Sequence, residues 1–158
     1  MKELIDYAER MGLENLRSRL QVVETLARES NALLMILLAG IGGSLAYAVK
    51  GIENAAICSL TAGSVAFCAW LMGTAGLLVY FCIMTDDLQT PTNEPMNLYQ
   101  PEYTVEEIRA VELRNIDSRI KLTIARNQRV AFWLDRVRIM AIASPVVFAI
   151  TAIAWAVV

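Results

Sequence analysis

The sequence predicts an all-α membrane protein: three transmembrane helices, with cytoplasmic amphipathic helical extensions on the first and the third. Three observations predict it. Residues 32–49, 55–84 and 139–158 carry no charge, and about 20 apolar residues suffice to cross the hydrocarbon core of a bilayer. None of these runs alternates apolar and polar residues as a barrel strand does, and a backbone in lipid must satisfy its own hydrogen bonds, so every crossing is expected to be an α-helix. The 14 Lys and Arg, Lys50 apart, all fall before Asn31 or between Arg109 and Arg138. Charge placement therefore carries more information than the net charge of −2.

With 158 residues, 56% of them hydrophobic, the chain is too apolar for an ordinary soluble domain and too short for a transporter built from two large repeats. A single compact membrane domain is expected, in five segments: a cytoplasmic amphipathic helix over 1–30, a transmembrane hairpin over 31–85, a Pro-containing linker over 86–104, a cytoplasmic helix over 105–137 and a third transmembrane helix over 138–158.

In the first segment, Leu13, Leu16, Leu20, Val23 and Ala27 are spaced 3, 4, 3 and 4 residues apart, the stripe of an amphipathic helix. Gly12 is expected to weaken or bend its start. Some thirty mixed-charge residues precede the first apolar run, unlike the short basic region of a cleavable signal peptide, so the first crossing is expected to be an uncleaved anchor. The preceding helix either projects into water as a stalk or lies on the lipid headgroups.

Within the first crossing, Ala39 with Gly43, Gly40 with Ser44, and Gly42 with Ala46 form three overlapping pairs of small residues four apart. The second crossing repeats the theme with Ser59 and Gly63, Ala62 and Ala66, and Ala69 and Gly73. Small residues let helices approach closely where water cannot drive association. Their spread over more than one face predicts a homo-oligomer, the alternative being packing within one chain. A five-residue break, KGIEN from Lys50 to Asn54, separates the two crossings.

Asp86 and Asp87 close the second apolar run, and Pro91, Pro95 and Pro101 then mark a stretch expected to contain neither helix nor ladder. Thr104 followed by Glu107 forms a capping box, which starts a helix at Val105. Ile108, Ile116, Ile120, Ile124, Ala131, Leu134 and Val137 continue at mostly helical spacing, and no Gly or Pro interrupts the passage into the apolar run from Ile139. One long helix is expected, with a kink or hinge at Pro145.

Basic residues number five before the first crossing, one between the first and second, and eight before the third. The positive-inside rule then puts the amino terminus and residues 85–137 in the cytoplasm and the carboxyl terminus in the periplasm. Aromatic anchors agree, with Trp133 and Trp155 near opposite interfaces, Tyr47 at the outer face, and Tyr80 with Phe81 at the inner one. Both cytoplasmic helices lead upward into crossings, so they should run parallel and bury their stripes against each other.

The sequence contains no histidine, which removes the commonest general base and metal ligand. No phosphate-binding glycine loop occurs, and Cys58, Cys68 and Cys82 have neither redox nor metal-site spacing. The expectation is a protein that is not an enzyme, with no catalytic or metal-binding residues, no cofactor and no nucleic-acid partner. The crossings lack ionisable groups, against ion-coupled transport. Ser59, Ser64, Thr74, Ser144 and Thr151 either line a water path in an oligomer or bond to their own helices. Arg119, Lys121, Arg126, Arg129, Arg136 and Arg138, opposed along that stretch only by Asp135, form a basic cluster suited to anionic lipid headgroups or to an anionic ligand. Asn127 and Gln128 are placed to set register between stalk helices.

The stretches ESNALLMILLAGIGG and RNQRVAFWLDRVRIM, in an order of cytoplasmic helix, Gly-rich hairpin, linker and long basic helix entering a last crossing, resemble the small transmembrane effectors of bacterial anti-phage signalling systems of the Pycsar type. That resemblance implies a homo-oligomeric protein of the bacterial inner membrane, a pore-forming or membrane-disrupting defence effector triggered by a nucleotide signal. In it the helix over 105–138 would transmit the trigger and the hairpin would act on the bilayer. The alternative is a non-catalytic accessory, scaffold, or immunity or exclusion subunit that docks a soluble cytoplasmic protein through its helices.

Overall fold

A computed structural model describes residues 2–53, 58–84 and 90–157, and these form helices and loops with no strand among them. Helix α1 runs unbroken from Lys2 to Glu53. Helix α2 spans Ser59–Leu78 and passes directly into a π-helical turn, Val79–Ile83. A single turn, α3, covers Pro95–Leu98, and α4 spans Val105–Val157. Helical stretches within Glu3–Glu53, Ser59–Ile83 and Val105–Val157 are long and apolar enough to cross a membrane.

Local chemistry explains the element ends. Glu3 in the first turn of α1 and Lys50 in its last complement the helix dipole. At the start of α4 the capping box closes in both directions: the Thr104 N–H donates to Glu107 Oε2 at 2.9 Å, and the Glu107 N–H donates to Thr104 Oγ1 at 3.3 Å.

Three expectations need correction, and Gly12 takes on a packing role besides. Lys50 to Glu53 belong to α1, so the break between the first two crossings begins no earlier than Asn54, outside the described residues. Gly12 does not interrupt α1; a Cβ there would meet Ile116 Cγ2 at 3.0 Å, so the glycine permits a close helix approach. The linker contains a helical turn, because Pro95 stands at the first helical position, where its missing N–H costs no intrahelical bond. The second crossing is not α-helical throughout, since Met84 N–H donates to Val79 O at 2.8 Å, five residues back. The roles given to Asp86 and Asp87 lie outside the described residues.

The chain divides into two compact units. In the first, residues 2–26 and 90–129, the opening half of α1 packs against the opening half of α4. Arg109 donates to Glu9 at 2.9 and 2.6 Å and pairs with Asp6, Gly12 faces Ile116, and Asn127 Nδ2 donates to Arg19 O at 3.0 Å. Residue numbers rise together along these contacts, so the two helices are parallel. Leu16, Val23 and Ile116 are buried there with Thr123 and Asn127. Glu9, then Asp6, hold the Arg109 guanidinium even more firmly protonated than usual.

The second unit, residues 27–53, 58–84 and 130–157, contains α2 antiparallel to both long helices. Gly51 meets Thr61 and Gly40 meets Leu71 along α1, while Phe67 meets Phe148 and Phe81 meets Trp133 along α4. Its core includes Leu37, Leu71, Leu78, Leu134 and Val137. Outside that core, only 11% of the most apolar window of α1 and 6% of that of α4 is buried, leaving Met35, Ile36, Ile139, Ile142 and Ile150 exposed. Apolar surface on this scale requires lipid or protein to cover it.

Candidate functional site

In the second unit, four aromatic rings and one arginine gather where the π turn meets α4. A π turn adds a residue to the helical circuit, and here it carries Phe81 onto Trp133. Their rings stack face to face, centroids 3.8 Å apart and planes within 5°. Tyr80 meets Phe81 edge-on at 4.8 Å, and Phe132 meets Trp133 edge-on at 6.0 Å. Such pairs are each worth about 0.5–1.5 kcal/mol beyond the area they bury. Arg136 completes the group, its guanidinium carbon 4.0 Å from the Phe132 centroid and 6.0 Å from that of Trp133. Periodicity and composition mark Trp133, Tyr80 and Phe81 as interface aromatics, but nothing in them signals a π turn or the stack it makes.

The basic cluster is distributed rather than gathered. Arg119, Lys121, Arg126 and Arg129 belong to the first unit, Arg136 and Arg138 to the second. Arg119 pairs with Glu112 at 3.2 Å and Lys121 with Asp117 at 2.6 Å. Arg138 pairs with Asp135 at 3.1 Å and with Glu29 of α1 at 2.7 Å. Asp135 is thus one of four opposing acids: Glu112 lies two helical turns before Arg119, and Glu29 lies on another helix. Arg136 differs from these three in resting on aromatic rings.

The small-residue pairs divide as well. A Cβ on Gly40 would meet Leu71 Cδ1 at 2.8 Å, and one on Gly63 would meet Phe148 and Ala152 at 3.1–3.2 Å, so both serve packing within the chain. Gly42, Gly43 and Gly73 have nothing within 4 Å. Ala39, Ala46 and Ala69 are exposed, while Ser44 and Ser59 are half-buried. Ser44 donates to Gly40 O at 2.8 Å.

Among the hydroxyls considered for a water path, Ser64 donates to Leu60 O, Thr74 to Trp70 O, Ser144 to Ala141 O and Thr151 to Val147 O, all at 2.6–2.9 Å. Ser64, Thr74 and Ser144 are buried inside the single chain. Pro145 lies within α4 without ending it. Cys68 and Cys82 are buried packing residues, whereas Cys58 is exposed just before α2, its Sγ 3.5 Å from Thr61 Oγ1.

In the first unit, Asn93, Asn97, Gln100 and Tyr103 line a cleft of about 450 Å³ over Ile108 and Val111 of α4. Asn93 Nδ2 donates to Glu112 at 3.2 Å, tying the linker to that helix. Among the described residues no group of three His, Cys, Asp or Glu is placed to hold a metal ion. Comparison of the chain with protein-family models, curated proteins and solved structures gives no match.

Proposed function

We propose that the chain is a homo-oligomeric protein of the bacterial inner membrane that acts on the bilayer itself, as a pore-forming or membrane-disrupting defence effector without catalytic activity. The observation that carries this reading is the open side of Gly42, Gly43 and Gly73. These three glycines, and Gly76 beside them, leave hollows that none of the described residues fills, and in lipid such hollows suit the backbone of another helix. The distribution of basic residues supports a cytoplasmic amino terminus and a periplasmic carboxyl terminus. Because Ser64, Thr74 and Ser144 bond inward to their own helices, disruption of lipid packing fits better than a channel lined by those hydroxyls.

A second reading, an accessory subunit docking a soluble protein, draws on the cleft beside the linker. Controlled expression separates the two. Membrane depolarisation in cells making this chain, alone or with a nucleotide trigger, supports the effector reading; an unchanged potential together with co-purification of a stoichiometric soluble protein supports the other.

A further inference from the structure

We propose that Arg136, laid on the Phe132 ring, is a receptor for the phosphate of an anionic phospholipid. The inference rests on the chain being membrane-embedded but not on its oligomeric state.

Location is the first argument. Arg136 is three residues before Ile139, where the uncharged run of α4 begins, and Tyr80 and Phe81 lie in the π turn near the end of the second apolar run. Aromatic rings at the ends of apolar runs sit at the level of lipid headgroups. Tyr80 and Phe132 are both largely exposed, at 63% and 51%.

Geometry is the second. A guanidinium carbon 4.0 Å over a ring centroid is held by the ring's quadrupole, and the ring supplies no hydrogen-bond acceptor for its N–H groups. Phe132 is braced by Trp133, and Trp133 by Phe81, so the π turn makes the platform. The neighbouring acid, Asp135, is bonded to Arg138. Arg136 therefore offers a planar donor fork of the shape that suits phosphate bidentately.

Exposed apolar side chains next to the guanidinium select a lipid over a free anion. Along α4 beyond Arg136, Ile139 and Ile142 are 67% and 79% exposed, an apolar track for acyl chains beginning one turn from the guanidinium. Inorganic phosphate would use only the fork; a glycerophospholipid uses both.

Native mass spectrometry of the full chain, released from nanodiscs containing phosphatidylglycerol and phosphatidylcholine in equal parts, tests the assignment. Wild type is expected to retain phosphatidylglycerol preferentially, unaffected by millimolar inorganic phosphate. Arg136→Gln should lower retention at least about fivefold, and Phe132→Leu should weaken it with the charge intact. Arg10→Gln, a loss of the same charge outside the basic cluster, should leave it unchanged. Equal retention by wild type and Arg136→Gln, or displacement of the lipid by inorganic phosphate, overturns the proposal. Chain extracted from membranes by detergent yet free of phospholipid refutes this inference alone, whereas chain recovered without detergent refutes the membrane reading beneath it.

Discussion

Ser144 Oγ donates to the carbonyl of Ala141 at 2.6 Å, the carbonyl that Pro145, lacking an N–H, leaves without its helical partner. A proline inside an apolar helix is tolerated where a side chain re-satisfies the freed backbone group. Trp70 Nε1 adds a bond to the preceding carbonyl, Met140 O, at 3.0 Å, so both acceptors next to the proline have a partner. Pro145 and Ser144 thus form a matched pair.

Their coupling is measurable. Ser144→Ala should destabilise the detergent-solubilised protein by about 1 kcal/mol, and the same change in a Pro145→Ala background should cost much less, because alanine in place of the proline restores the amide donor. A double-mutant cycle of reversible unfolding reads the difference. Strict additivity would show that the serine does not compensate for the proline.

Two glycines three residues apart should respond in opposite ways. Gly40→Leu forces a side chain into Leu71, 2.8 Å from the first added atom, and should lower the unfolding temperature of the chain. The first atom added by Gly43→Leu meets nothing within 4 Å, so helicity should be unchanged while the particle mass falls. Size-exclusion with light scattering, read beside circular dichroism, checks both; equal effects on stability would contradict the division of the small-residue face.

Asn127 is buried, with one bond to Arg19 O and its Oδ1 without a hydrogen-bond partner. Replacing a half-satisfied buried amide by an apolar group of similar size is expected to be neutral or stabilising, while a buried amide in a helix seam fixes register. Asn127→Leu should therefore leave the unfolding temperature level or raised. Cysteine cross-linking between α1 and α4 should then accept more than one register; a single register would deny the amide that role.

Glu107 titrates below the usual carboxylate range, because the backbone N–H of Thr104, and then its hydroxyl, bond to the ionised form. A depressed folded pKa contributes stability above the unfolded value of about 4.3 that is lost as pH falls through the lower folded value. Amide protection in the first turn of α4 should decline over that acidic window in wild type. In Glu107→Gln that decline should be absent, with weaker protection at neutral pH; identical profiles would rule out the cap as its cause.

Much of this architecture was legible because it depends on local chemistry. The capping box at Thr104 and Glu107 is written in four consecutive residues, and the stripe follows helical spacing onto the buried face at Leu16 and Val23, with Leu13 and Leu20 half-buried and its last member, Ala27, exposed. The seam of α4 was only partly legible. Besides Ile116, Leu134 and Val137, it buries Thr123, Asn127 and Ser144, polar residues that an apolar count passes over. Exposed and buried isoleucines look alike in a helix that lipid is expected to surround. Partners far along the chain, such as Glu29 for Arg138, and the extra residue of the π turn at Val79–Ile83 leave no periodic trace. The aromatic platform under Arg136 therefore had to come from the structure.

The central claim is that hollows at Gly42, Gly43 and Gly73 are filled by further copies of the chain. Native mass spectrometry of the particle released from lipid nanodiscs tests it most directly. The account predicts a discrete multiple of the 17.5 kDa chain; a particle of a single chain, with or without bound lipid, would contradict it.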